Sequence, residues 1–137
     1  MKFPEEYIIH GRKRLHSGQD TEIFYDVNAL LTDSFYLNYV INNIPFSRHY
    51  VGIATGGAII AALLAREKNT GFSMIKDGEL KGKPPDKEWS LIDDVVTTGS
   101  SLEEAINIIG KNPSSIWVVV DRRTEASNLL VNSIFEI

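Results

Sequence analysis

The residues best suited to chemistry are gathered in one run, Leu91-Ile92-Asp93-Asp94-Val95-Val96-Thr97-Thr98-Gly99-Ser100-Ser101. Its second half is a set of small hydroxyl side chains around one glycine. A phosphate monoester needs many donors converging on a small anion. Threonine and serine hydroxyls, with the backbone N–H groups of a helix start, provide them without desolvating a lysine. Gly99 permits a tight bend and leaves no Cβ in the anion's way. The two carboxylates upstream would repel a phosphate placed on them, but they accept hydrogen bonds from neighbouring sugar hydroxyls. The run therefore reads as a site for a ribose 5-phosphate, with the phosphate on Thr97 to Ser101 and the hydroxyls on Asp93 and Asp94. A capped turn without a ligand is the plainer alternative. The length of the pattern, from apolar strand through two acids and two valines to five small residues, favours the site. Neither a Gly-x-x-x-x-Gly-Lys-[Ser/Thr] loop nor a GxGxxG fingerprint is present, which disfavours P-loop and dinucleotide folds.

Such a loop must be carried by a strand and a helix, and the sequence supplies several such units. Tyr50 to Ile53 is an apolar strand, followed by Thr55-Gly56-Gly57 and a helix over Ala58 to Arg66. Trp89 to Ile92 is a second strand, ending in Asp93-Asp94. The spacing of Leu102, Ala105, Ile106 and Ile109 predicts a helix from about Leu102 to Ile109. Ser101 and Glu104 fit a capping box at its start, and Gly110 with Pro113 ends it. Ser115 to Val120 is a third strand, β-branched almost throughout, as expected where both faces are covered. Upstream, Pro4 to about Arg14 reads as a helix, Leu15 to Val27 as small strands or irregular structure, and about Thr32 to Asn43 as a helix stopped by Pro45. Downstream, Ala126 to Val131 reads as a last helix and Ile134-Phe135 as a final strand. Alternating strands and helices imply an α/β fold, a mainly parallel sheet with helices on both faces. Ligands of such sheets bind beyond the carboxyl ends of the strands. Gly56-Gly57, Asp93 to Ser101 and Asp121-Arg122 all fall there.

Composition narrows the classes. The chain has 137 residues, 43% hydrophobic and 23% charged, enough for one domain with its own core. It has no cysteine, so disulfides, thiolate metal sites and cysteine nucleophiles are excluded. His10, His16 and His49 are too far apart for an HExxH site. Net charge is 14 − 18 = −4, with no basic block beyond Arg12-Lys13-Arg14, which argues against nucleic acid as a partner. The longest apolar run, Ala58 to Ala65, is too short to span a bilayer. The first residues lack the apolar core of a signal peptide, so the expectation is a cytoplasmic protein without a membrane partner.

At these residues the sequence resembles a known family. Leu91 to Ser101 resembles the signature by which type I phosphoribosyltransferases bind 5-phosphoribosyl diphosphate (PRPP). Gly52-Ile53-Ala54-Thr55-Gly56-Gly57-Ala58 resembles their diphosphate loop. Within the family the likeness is to the orotate phosphoribosyltransferases. Leu15-His16-Ser17-Gly18 with Phe24-Tyr25-Asp26 resembles the segment that covers the base. Val118 to Arg122 resembles the late strand whose arginine holds orotate. The resemblance implies one domain over residues 1–137, with a hood over about 1–30 and a PRPP-binding core over about 31–137. It implies PRPP contacts from Asp93, Asp94, Val95, Val96, Thr97, Thr98, Gly99, Ser100 and Ser101, and pyrophosphate contacts from Thr55, Gly56 and Gly57. Base contacts would come from Arg122, His16, Phe24 and Tyr25, and catalytic roles would fall to Asp93, Asp94 and Lys76. Mg²⁺ would arrive on PRPP without a protein ligand of its own, and the assembly would be a homodimer.

Two alternatives remain beside individual residues. Arg122 suits an anionic pyrimidine because its planar fork meets a carboxylate or imide edge, or it forms a surface ion pair with Glu125. Phe24 and Tyr25 stack on the base, or are core aromatics. The implied activity is transfer of ribose 5-phosphate from PRPP to orotate, giving orotidine 5′-phosphate and pyrophosphate. Met74 and Ile75 stand where the family has the basic pair that opens a mobile loop, and the segment to Trp89 is short. Lys76, Lys81 and Lys83 remain as substitutes. That departure keeps open a non-catalytic PRPP- or nucleotide-binding regulator. His16, standing where a lysine is expected, keeps open a transferase for another base.

Overall fold

The computed structural model describes residues 1–12, 21–125 and 127–137. Its strands are β1 (Ile8–Arg12), β2 (Thr21–Tyr25), β3 (His49–Ile53), β4 (Gly71–Lys76), β5 (Glu79–Lys81), β6 (Ser90–Val96), β7 (Ser115–Asp121) and β8 (Asn132–Phe135). Its helices are α1 (Val27–Leu31), α2 (Ser34–Asn43), α3 (Gly56–Lys68) and α4 (Ser100–Ile109). The apolar runs line up as one six-stranded sheet in the order β5-β4-β3-β6-β7-β8. Neighbours are parallel except β5, which runs antiparallel to β4.

Helices cover both faces, as the alternation requires. On one side Leu30 of α1, Val40 of α2, and Ile60 and Leu64 of α3 pack on Tyr50, Ile92, Val119 and Phe135. On the other, Leu102 and Ala105 of α4 pack on Val51, Leu91 and Val118. Residues this deeply buried contribute about 1.5–3 kcal/mol each through removal from water. β3 and β6 lie in the middle of the sheet, which is why Tyr50 to Ile53 and Leu91-Ile92 read as apolar runs. Among the described residues no helix is long and apolar enough to cross a membrane.

Four local expectations are corrected. The helix over Pro4 to Arg14 is instead a single 3₁₀ turn, Glu5–Tyr7, followed by β1. Proline does open a turn there, but Ile8-Ile9 are β-branched and pair in antiparallel register with Tyr25 and Phe24 of β2. The upstream helical region begins earlier than Thr32, in two pieces. Asp26 accepts from the Ala29 N–H to start α1, and Asp33 accepts from the Phe35 N–H to start α2. The capping box of Ser101 and Glu104 does not form. Gly99 caps α4 in a left-handed conformation (φ 97°) and makes no side-chain cap bond, so Ser101 already lies in the first turn. Finally, no helix is present among the described residues of 126–131. The parallel connection from β7 to β8 is irregular, and side-chain hydrogen bonds fix it. Gly110 ends α4 as expected, with φ 83° and its N–H donating to the Ile106 carbonyl.

β1 and β2 form a separate two-stranded sheet. It is anchored through Tyr25, whose ring meets Phe3 edge-on at 5.2 Å, and Phe3 in turn meets Phe135 at 5.6 Å.

Candidate functional site

At the carboxyl ends of β3, β6 and β7 the structure brings the three expected segments to one rim. Asp93 and Asp94 lie inside β6 rather than after it. Leu91 and Val96 belong to the α4-side core, whereas Ile92 and Val95 face the other core. Odd and even positions thus exchange sides across the two aspartates, although the register with β7 is kept from Asp93↔Val118 to Val95↔Val120. The acids also take up the neighbouring backbone donors. The Asp94 N–H donates to Asp93 Oδ1 at 2.8 Å, and the Val95 N–H donates to Asp94 Oδ1 at 2.7 Å. Asp93 is only 6% exposed. Burial, then the hydrogen bond and charge of Asp94, pushes its carboxyl up to about 8. A carboxyl biased toward its neutral form can donate as well as accept toward a diol.

Past β6 the chain turns through exposed Thr97 and Thr98 to buried Gly99. Thr98 Oγ1 lies 3.1 Å from Ser100 Oγ and accepts from the Ser100 N–H at 3.3 Å. The turn wraps a hollow of about 40 Å³ lined by Asp93, Val95, Val96 and residues 97–102. That is room for roughly three waters, the scale of one phosphate group. Hydroxyls and the amino end of α4 are its polar lining, the donor set a phosphate needs.

The β3–α3 junction is built differently. Thr55 is exposed at the start of α3, while Gly56 and Gly57 are buried. Neither glycine has a positive φ. A Cβ on Gly57 would lie 2.4 Å from the Ile92 carbonyl oxygen, and one on Gly56 would lie 2.9 Å from Asp94 Cβ. These glycines let the amino end of α3 press onto β6 beside the acids. The Ala54–Thr55 peptide is cis. Asn28 of α1 reaches the same place, its Oδ1 3.3 Å from where the Gly56 Cβ would sit. Sequence reasoning passed over Asn28, which no local motif marks.

Lys76 ends β4 in the register next to this junction, since the Ala54 N–H donates to the Ile75 carbonyl at 2.9 Å. Met74 and Ile75 are strand residues paired with Gly52 and Ile53. Beyond Lys76 the chain reverses at once through Asp77 (φ 51°) and Gly78 (φ 73°), and Lys76 pairs with Glu79. Two consecutive positive-φ residues make this a two-residue hairpin turn. Lys81 is ion-paired with Glu79 at 2.9 Å. Lys83 lines a hollow with His49 at the amino ends of the strands, away from the rim. Of the three lysines, Lys76 is the one whose backbone ends a strand beside the β3–α3 junction.

On the far side, the Arg122 N–H donates to the Val96 carbonyl at 2.8 Å. The Arg122 guanidinium carbon lies 5.2 Å from the centre of the Tyr25 ring, a cation–π distance. The expected alternative, an ion pair with Glu125, does not form: the ion pairs among the described residues are Glu79–Lys81 and Asp121–Arg123. Phe24 and Tyr25 point to opposite faces of β2. Phe24 is 45% exposed on the face turned from Arg122, with its ring 3.6 Å from the Cβ position of Gly11. The structure therefore joins Tyr25 to Arg122 and leaves Phe24 out. His16 lies outside the described residues.

No family model matches the chain. Individual proteins do. An orotate phosphoribosyltransferase of Thermococcus kodakarensis is 30% identical over 154 residues, covering 95% of this chain and 81% of the relative. One of Aeropyrum pernix is 26% identical over 142 residues, covering 90% and 76%. The crystal structure of orotate phosphoribosyltransferase from Aeropyrum pernix superposes with a TM-score of 0.70, covering 85% of this chain and 76% of the other. The adenine phosphoribosyltransferase of Thermoanaerobacter pseudethanolicus, 15% identical, shares the fold with a TM-score of 0.71 over 97% of both chains.

Proposed function

Because this chain belongs to the orotate phosphoribosyltransferase family, we propose that it binds PRPP at the described rim. It would transfer the 5-phosphoribosyl group to a pyrimidine base, orotate, releasing pyrophosphate. The observation that carries the proposal is the convergence on one rim of the Thr97–Ser101 hollow, the Asp93–Asp94 pair and Arg122 over Tyr25. The spacing suits a nucleotide in three parts. The hollow takes the 5′-phosphate, the acids take the ribose hydroxyls, and the guanidinium meets the carboxylate or imide edge of the base. Thr55 and Lys76 are the groups positioned for the leaving diphosphate.

In such a transfer the base nitrogen forms a bond to the anomeric carbon as the bond to diphosphate breaks. Positive charge gathers on the sugar and negative charge on the leaving group. Asp94, beside the ribose, favours the former, and Lys76 the latter. Among the described residues no group of three or more His, Cys, Asp or Glu converges. A Mg²⁺ carried by the diphosphate would need no such group. When bound there, the ion neutralises the leaving group. Ile59 and Leu63, one turn apart on α3, are 43% and 38% exposed, an apolar pair suited to cover by a second copy in a homodimer.

The tight turn at Asp77-Gly78 favours a second reading. With one lysine beside the diphosphate junction, the same site serves a non-catalytic PRPP- or nucleotide-binding regulator. One experiment separates them. The chain is titrated calorimetrically with PRPP and Mg²⁺, then with orotate, and orotate consumption is followed under the same conditions. Binding with turnover supports the transferase, and firm binding without turnover supports the regulator. Absence of PRPP binding refutes both.

A further inference from the structure

Parallel neighbours in a sheet are usually joined by a helix, yet the described residues between β7 and β8, 122–125 and 127–131, form none. One side chain holds that segment. Arg123 Nε donates to Asp121 Oδ1 and Oδ2 at 3.0 and 3.2 Å, and Nη2 donates to Oδ2 at 2.8 Å. Nη1 donates to Ser127 Oγ at 2.8 Å and to the Leu129 carbonyl at 3.0 Å. The two charged side chains are 13% and 23% exposed, so water competes weakly for these bonds. The hydrogen bond from Arg123 is the main cause that holds the Asp121 carboxyl below its ordinary value, against the opposing effect of burial.

The far end of this network touches the candidate site. Ser127 Oγ and Leu129 Cδ1 are both 4.0 Å from the position a Cβ would take on Gly99. The two partners that Arg123 holds therefore stand directly behind the phosphate loop. A cavity of about 330 Å³ lined by Thr97, Thr98, Arg123, Thr124, Glu125 and Ser127 separates the remaining parts of the two segments. Arg123 lines this space and bonds to both Ser127 and Leu129. At its near end the network adjoins Arg122, whose N–H is tied to Val96 at the entrance to the same loop.

We propose that Arg123 is a positioning residue for both halves of the site. It sets Ser127 and Leu129 as the wall behind the phosphate loop, and by locking Asp121 it fixes Arg122 over Tyr25. The clamp couples the phosphate end of a ligand to its base end. This rests on the reading of the rim as a PRPP and base site, although the mechanical part does not. Arg123 itself directs its donors to Asp121, Ser127 and Leu129. A lysine has one compact ammonium and cannot reproduce the fork.

The test uses the full chain with Arg123→Met, and with the milder Ser127→Ala in case the first variant does not fold. In the unliganded protein, amide hydrogen exchange is expected to rise in residues 122–129 and also in 97–101, while α3 is unchanged. Loosening confined to 122–129, with 97–101 as protected as before, would overturn the proposal whatever the ligand is. In calorimetry, PRPP affinity with Mg²⁺ is expected to fall about tenfold. The loss of orotate affinity caused by Arg122→Ala should also be smaller in the Arg123→Met background than alone. Unchanged PRPP affinity, or strictly additive losses, would reduce Arg123 to a fold-stabilising residue. If the parent chain binds no PRPP, the functional reading fails, and the exchange measurement still decides the clamp.

Discussion

Two strand-to-helix junctions meet at the rim, and both are rich in glycine for opposite reasons. At the end of β6, Gly99 has φ 97° and room for a Cβ, whose nearest neighbours would lie at an ordinary contact distance of 4.0 Å. At the end of β3, Gly56 and Gly57 have ordinary backbone angles and no space, with contacts down to 2.4 Å. The first glycine is needed for how the chain bends, the second pair for how closely a helix approaches a strand. One site is thus held by a local turn on one side and by tertiary packing on the other. The same substitution should damage the two sides in different ways.

The largest effect is expected from Gly57→Ala. Its methyl group would collide with the backbone of Ile92 and force α3 away from β6. A stability loss of about 3 kcal/mol or more is expected, read as a lower urea midpoint, with ligand binding lost along with the fold. Gly99→Ala should cost about 1–2 kcal/mol, the strain of a left-handed non-glycine residue, yet remove most PRPP affinity from a protein that remains folded. If both variants lose stability and affinity in the same proportion, the contrast between the junctions is wrong.

Between the junctions lies Asp93, and its expected effect is smaller and depends on pH. Its folded-state value is raised above the ordinary carboxylate value. The folded chain therefore binds a proton that the unfolded chain releases at lower pH. Stability from this group is fully present near pH 4 and is lost as pH rises toward about 8. Asp93→Asn should flatten that slope, read as a urea midpoint that depends less on pH between about 4 and 8. An equally steep slope in the variant would mean that another group carries it. The smallest effect on stability belongs to Lys76→Ala, within about 0.5 kcal/mol because the side chain is exposed. Orotate consumption, if present, should nonetheless fall severalfold with PRPP affinity less affected. An unchanged rate would remove Lys76 from the leaving-group side.

The β6–α4 turn was legible in the sequence because its residues are consecutive. Asp93 through Ser101 spell out strand, turn and helix start in order, and no distant contact is needed to assemble them. The central strands were legible for a related reason, since burial on both faces leaves an apolar run. The arrangement of β1 and β2 was not. Whether Phe24 or Tyr25 faces Arg122 depends on the register of β2 against β1, and a one-residue slip exchanges the two rings. Met74 and Ile75 read as a defective loop because the strand they belong to is short and half-exposed. Yet Asp77-Gly78 between them and Leu80 is a recognised hairpin signal. The segment after β7 misled in the opposite direction. Its apolar residues suggested a helix, while the bonds that fix it come from one arginine whose partners are two to six residues away. Asn28 escaped because its importance lies in a contact with Gly56, across two elements.

The two-residue turn after Lys76 also bears on the timing of exchange. A ligand arriving from the β4–β5 side meets a sheet edge already closed on itself, with Glu79 and Lys81 paired and Gly78 resting 3.2 Å from a Glu104 carboxylate oxygen if given a Cβ. A turn this short provides no long segment on this side to fold over a bound ligand, so association there is expected to show no separate closing step. Occupancy would follow the surrounding ligand concentration without the delay that a closing segment imposes.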